Sequence, residues 1–198
     1  MLKLIVLMGV CGAGKTTIGL ELASKLSAVF LDADHFHTTE AKLKMTKGIP
    51  LSDSDRFPWL HNIKAHIISL FQANFSPKYN DSTICSPSHN LIILACSALK
   101  LSYRAILTCD IEPQIYLKSS TSLLFYHTDF ALLTCSTRTL IHRLKARTNH
   151  FVNDLLVESQ LATLKTDSSE PNLFVFSTEN NSITHVVSEI ILKLSLAP

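Results

Sequence analysis

Cysteine pairs at metal-binding or redox spacing are missing from this chain. Its five cysteines, Cys11, Cys85, Cys96, Cys109 and Cys135, are odd in number and contain no C-x-x-C. That excludes a zinc site of paired cysteines and argues against a disulfide framework, so a reduced, cytoplasmic protein is expected. No hydrophobic run reaches membrane-spanning length, and no membrane partner is expected. The first apolar run, Leu2 to Met8, is short and leads straight into a glycine loop. A cleavable signal there would destroy the first strand, so none is expected. Neither charge sign dominates: 18 Lys and Arg stand against 16 Asp and Glu, a net charge of +2. This leaves no electrostatic footprint for nucleic acid. No internal repeat is visible. Glycine is scarce, with five residues in 198, and three of these fall at positions 9, 12 and 14.

Those three glycines belong to Gly9-Val10-Cys11-Gly12-Ala13-Gly14-Lys15-Thr16, which fits G-x-x-x-x-G-K-[ST] at every fixed position. The motif follows an apolar run and precedes a helical pattern, which is the context it requires. Glycine lets the backbone turn tightly and aim several N–H groups at a phosphate. The helix that follows adds its positive N-terminal end. ATP is the expected ligand, held by Gly9, Val10, Cys11, Gly12, Ala13, Gly14, Lys15, Thr16 and Thr17. Lys15 is expected at the β- and γ-phosphates and the Thr16 hydroxyl in the shell of a Mg²⁺ ion.

Apolar periodicity places strands at Leu2–Met8, Val29–Leu31, Leu91–Cys96, Phe130–Thr134 and Leu173–Phe176. Helical patterns cover Thr16–Leu26, Thr39–Lys47, Trp59–Ala73, Thr137–Thr148 and Asp154–Leu164. A last helix carries an i, i+3, i+4, i+7 stripe through Ile183, Val186, Val187, Ile190, Ile191 and Leu194. Strands alternating with helices predict an α/β fold: one domain, residues 1–198, with a five-stranded parallel sheet covered on both faces. Ligands then bind past the carboxyl ends of the strands. Pro50 to Pro58 reads as an acidic turn and Phe75 to Asn90 as a long polar loop. The stretch from Cys109 to Asp129 holds two apolar patches, which suit an added hairpin or a partner surface equally.

In the order of its motifs the chain resembles the gluconokinases, a family of P-loop small-molecule kinases. The phosphate loop, Met8 to Thr16, specifies only a superfamily. Asp32-Ala33-Asp34-His35-Phe36-His37 matches a D-x-D-x-x-H element. Met45 to Leu60 matches M-x-x-G-x-P-L-x-D-x-D-R-x-P-W-L in full. Cys96 to Arg104 matches C-S-A-L-K-x-x-Y-R, Arg143 to Phe151 matches R-L-x-x-R-x-x-H-F, and Gln160 to Leu164 matches Q-x-x-T-L. The resemblance implies a three-layer P-loop fold like that of the nucleoside monophosphate kinases, with a helical lid over about residues 138–153. It implies phosphorylation of D-gluconate by ATP with Mg²⁺, and it makes the 109–129 stretch an insertion. The chain departs from the family at Thr38, where a proline is usual, at Cys11 and Ala13 in the loop, and at Cys135 and Asn149, where glycines are usual.

Site roles follow from the resemblance, each against a plainer alternative. Asp32 is expected to hold Mg²⁺ through water. Asp34 is expected to orient the acceptor hydroxyl and take its proton, although either acid also suits a turn or cap. His37 binds a polyol or is a surface histidine. Asp53 or Asp55 caps the next helix. Arg56 is expected to grip the acceptor carboxylate with its planar guanidinium. Lys100 and Arg104 complete that carboxylate site, touch the moving phosphoryl group, or are surface charge. Trp59 is expected to be a core anchor. Arg143 and Arg147 lie four apart on one helix face and are implied as clamps on the ATP phosphates. The chemistry of Asp34 and Arg56 also fits a kinase of another small anion, such as shikimate. A non-catalytic nucleotide-binding protein is the alternative from a different class. A homodimer is an admissible assembly.

Overall fold

Alternating side chains of the first strand feed two separate cores. In β1 (Leu2–Met8), Ile5 and Leu7 enter one apolar cluster while Leu2, Leu4, Val6 and Met8 enter the other, as the two-residue period of a strand requires. The computed structural model describes residues 1–73, 90–108, 125–146, 154–167 and 169–196. The remaining strands are β2 (Val29–Asp32), β3 (Leu91–Ala95), β4 (Tyr126–Thr134) and β5 (Leu173–Ser177), all parallel, in the spatial order β2-β3-β1-β4-β5. Helices α1 (Lys15–Lys25), α5 (Thr137–Lys145), α6 (Asp154–Thr163) and α7 (Ile183–Lys193) contribute to the first cluster. Helices α3 (Asp53–Ala73) and α4 (Leu101–Leu107) close the second, and the short α2 (Thr39–Thr46) precedes them. The expected three-layer α/β architecture with a five-stranded parallel sheet is present, and β1 lies at its centre.

Three elements differ from expectation. β4 begins at Tyr126 rather than Phe130, and residues 126–129 pair with Leu2–Ile5 of β1. These residues therefore belong to the sheet. Polar side chains had masked the strand. Asp129 is buried but meets Lys3 Nζ at 2.9 Å and His127 Nε2 at 3.0 Å, while the Tyr126 hydroxyl donates to Leu107 O at 2.9 Å. Residues 109–124 of the 109–129 stretch, residues 74–89 and lid residues 147–153 lie outside the described residues.

The second difference is α3, which starts at Asp53, inside the expected turn. Ser52 Oγ accepts from Asp55 N, and Asp55 Oδ2 accepts from Ser52 N at 2.9 Å. This reciprocal cap starts the helix ahead of Pro58, so proline forgoes only one early hydrogen bond. Asp55 is thus the expected capping acid, and Lys44 holds its carboxyl well below the usual carboxylate range. The third difference is α4, unanticipated because it is only seven residues long.

Candidate active site

Past the carboxyl end of β1 the chain turns through the glycine loop into α1. Gly9 has φ +135° and an added Cβ would lie 2.6 Å from Leu133 O; at Gly12, φ +83°, it would lie 3.0 Å from Leu140 O. Only glycine meets both the backbone conformation and the close approach. Ile18 N is the first amide to find a helical acceptor, Gly14 O at 2.9 Å, which leaves the first-turn amides of Lys15, Thr16 and Thr17 for an anion. The loop also satisfies part of itself. Gly9 N donates to Ser97 O, Ala13 N to Val10 O, and Cys11 N to Gln160 Oε1 at 2.7 Å. The Cys11 amide, expected on a phosphate, is therefore occupied by α6.

Lys15 Nζ folds back on the loop and donates to Gly9 O and Val10 O, both at 3.0 Å. Burial pulls its pKa below 10.5, against the fields of Asp34 and, more weakly, Asp32. A half-buried cation in the field of two carboxylates is stabilised further by any polyanion entering the loop.

Asp32 ends β2 and joins the loop to the next turn. Its Oδ2 accepts from Thr16 Oγ1 and its Oδ1 from Asp34 N, each at 3.0 Å. The short 3₁₀ turn Ala33–Phe36 follows, fixed where Trp59 Nε1 donates to Ala33 O at 2.9 Å. Trp59 is buried, the core anchor expected of it. The Asp34 side chain stands 85% exposed, with Oδ1 at 3.9 Å from His37 Nε2. His37 is buried rather than superficial, and its ring stacks on Trp59 with centroids 4.2 Å apart. Burial holds the imidazole below its usual pKa, outweighing Asp34.

The three cations expected near the acceptor have three different fates. Arg104 is 1% exposed. It donates to both carboxylate oxygens of Glu170, at 2.8 and 2.6 Å, and to Ala98 O and Lys165 O. This corrects the expectation of a substrate-binding Arg104: its fork is spent on structure. Lys100 Nζ donates to both oxygens of Asp53, at 2.7 and 2.9 Å. Asp53 is therefore an ion-pair partner and not the cap. Arg56 meets no carboxylate among the described residues; its Nη1 donates to Tyr103 OH at 3.3 Å.

On the other side of the loop a cavity of about 390 Å³ is lined by Gly12, Gly14, Thr17, Arg143, Thr178 and Asn181 among others. Arg143 Nη1 donates to Thr178 Oγ1 at 2.9 Å and Nη2 to Thr178 O at 2.7 Å, with Gly12 O at 3.5 Å from Nη1. Arg143 thus lies beside the phosphate loop. Arg147 falls outside the described residues.

The profile of the shikimate kinase family matches residues 11–58, which contain the loop from Cys11 onward, α1, β2 and the start of α3. A Dictyostelium discoideum protein named "Probable gluconokinase" is 40% identical over 190 residues, covering 94% of this chain and 84% of the relative. The chain belongs to the gluconokinase family. Among solved structures, a gluconokinase from Sinorhizobium meliloti superposes with a TM-score of 0.70 at 28% identity, covering 98% of this chain and 91% of that one. An unliganded sugar kinase from Janibacter sp. superposes with a TM-score of 0.76, also at 28% identity, covering 100% of this chain and 97% of the other.

Within this gluconokinase-family chain, sequence reasoning overlooked His142, Thr178, Asn181, Ile183 and Val186, all of which line the cavity. The rule that ligands sit past strand ends applied to β5 as well, and the polar turn Thr178–Ser182 was there to be read. Gln160 and Tyr103 lay inside family motifs but carried no chemical signal of their own. Only the fold shows Gln160 at the loop and Tyr103 beneath Arg56.

Proposed function

We propose that this protein transfers the γ-phosphoryl group of ATP to the terminal hydroxyl of D-gluconate, giving 6-phosphogluconate and ADP. One observation supports the reading: the phosphate loop with Lys15, the carboxylates at the end of β2, and Arg56, which meets no carboxylate among the described residues, gather past the carboxyl ends of the strands. Membership of the gluconokinase family selects gluconate among anionic acceptors.

In this reading the ATP base and ribose occupy the cavity beside Arg143, and the β- and γ-phosphates lie on the first-turn amides of α1. Lys15 turns from the Gly9 and Val10 carbonyls to the phosphates. Arg143, tethered by Thr178, adds positive charge beside the loop, and Arg147 would add more from the lid. Arg56 binds the acceptor carboxylate with Lys100 beside it, His37 contacts the polyol, and Asp34 accepts the proton of the attacking hydroxyl. The new bond forms from that oxygen to the γ-phosphorus, and the bond to the β,γ-bridging oxygen breaks to release ADP.

The donor set suits Mg²⁺: a hydroxyl and a carboxylate, Thr16 Oγ1 and Asp32 Oδ2, already meet at 3.0 Å. Magnesium binds through one or two such oxygens plus substrate phosphates, and would neutralise charge on the triphosphate. The cytoplasm is the proposed setting, and no helix among the described residues is long and apolar enough to cross a membrane.

The test is an ADP-release assay with a panel of acceptors: gluconate, shikimate, a nucleoside monophosphate and adenylylsulfate. Gluconate is expected to give the highest kcat/KM by at least tenfold. Release driven equally by another acceptor, or by none, refutes the assignment. Lys15→Met is expected to abolish turnover with the fold intact.

A further inference from the structure

Tyr103, near the start of α4, is a hub for charged groups from two helices. Its hydroxyl accepts from Arg56 Nη1 at 3.3 Å and donates to Asp53 Oδ1 at 2.5 Å. The Arg56 guanidinium carbon lies 5.7 Å from the ring centroid and Lys100 Nζ 5.4 Å from it. Phe57 packs edge-on against the same ring, with centroids 6.0 Å apart. The ring itself is 3% exposed, and it belongs to the apolar cluster beneath α3 and α4.

Two cations on one aromatic ring repel each other unless something compensates. The ring's negative π-face attracts both, and Asp53 neutralises Lys100 directly. Two positive charges and one negative leave the cluster with a single unit of positive charge, centred on Arg56. A singly charged carboxylate answers that balance; a dianionic phosphate ester does not. The guanidinium, long and flexible in isolation, is held in place by a ring that is fixed in the core, so less freedom is lost when a ligand binds.

We infer that Tyr103 is a positioning residue that presents Arg56 to a monocarboxylate acceptor, with the Asp53–Lys100 pair setting the net charge of the subsite. The inference rests on the acceptor role given to Arg56 above.

Tyr103→Phe tests it, because phenylalanine keeps the ring and its packing while removing the hydroxyl that links Arg56 to Asp53. A hydrogen bond contributes about 1 kcal/mol, so the gluconate KM is expected to rise about fivefold. The ATP KM, kcat and melting temperature should stay near wild type. In an Arg56→Ala background the same change should add nothing further, since the group it positions is gone. The inference is overturned if Tyr103→Phe leaves the gluconate KM unchanged, raises the ATP KM as much, or acts in full without Arg56. Failure of the underlying reading looks different: Arg56→Ala itself would then leave the gluconate KM alone. Loss of fold is checked by the ATP-dependent rise in melting temperature, which must survive in each variant.

Discussion

At the scale of single residues, the three basic side chains near the acceptor show how neighbours decide a role that residue type leaves open. Arg56 and Arg104 are chemically identical, yet one meets no carboxylate among the described residues and the other is sealed against Glu170. Breaking a buried ion pair by removing one partner costs about 3–5 kcal/mol, because the other charge is left stranded. Arg104→Met is therefore expected to lower stability by about 3 kcal/mol at pH 7, measured by urea unfolding. Burial raises the Glu170 pKa, but the Arg104 hydrogen bonds and charge together with the Asp167 amide outweigh it, and the net shift is downward from 4.5. A depressed carboxyl contributes stability that is present above its unfolded pKa and lost as pH falls through the folded one. The gap between wild type and Arg104→Met should accordingly narrow as the pH drops below about 4.5. A pH-independent gap, or a large rise in gluconate KM with unchanged stability, would return Arg104 to the acceptor site.

Elements were legible in the sequence where one physical rule dominated. The buried central strand, the glycine loop and the amphipathic last helix each carry a strong local pattern, and all three are where expected. The pattern failed where tertiary partners replaced local chemistry. The first half of β4 contains His127, Thr128 and Asp129, and Lys3 of the neighbouring strand makes the buried acid tolerable. The start of α3 was hidden by Pro58, although Ser52 and Asp55 already had capping-box spacing. For the site, Asp32, Thr16 and Lys15 were readable because the motif fixes their geometry. Tyr103, Gln160 and Asn181 were not, because only the packed fold brings them to the cleft. The loop offers a direct test of element geometry. An alanine at Gly12 must adopt φ +83° with its Cβ 3.0 Å from Leu140 O and 3.2 Å from Leu144 Cγ. Gly12→Ala should cost about 1–3 kcal/mol of stability and raise the ATP KM more than the gluconate KM. Wild-type melting and wild-type ATP KM would mean the loop tolerates a side chain that this packing forbids.

For the molecule as a whole, loop, cavity and acceptor cluster draw on different elements, so ligand binding should stabilise the entire fold. Gln160 ties α6 to the loop, Arg143 ties α5 to the turn after β5, and Lys165 N donates to Leu99 O at 2.9 Å, tying the segment after α6 to the turn before α4. A ligand at 100 times its Kd stabilises the native state by about 2.7 kcal/mol. In a domain of this size that corresponds to a melting-temperature rise of about 5–10 °C. ATP with Mg²⁺ is expected to produce such a rise by differential scanning fluorimetry, and a chelator should remove part of it, since Thr16 and Asp32 would then face the triphosphate without the metal charge. Lys15→Met should abolish most of the shift if, as proposed, its ammonium is the main cation on the phosphates. Gluconate alone should act through Arg56 and leave the Lys15→Met protein as stabilised as wild type. If gluconate stabilisation vanished in Lys15→Met too, acceptor and phosphate sites would not be the separable halves that the geometry describes, and the assignment of Arg56 to the acceptor would fall with them.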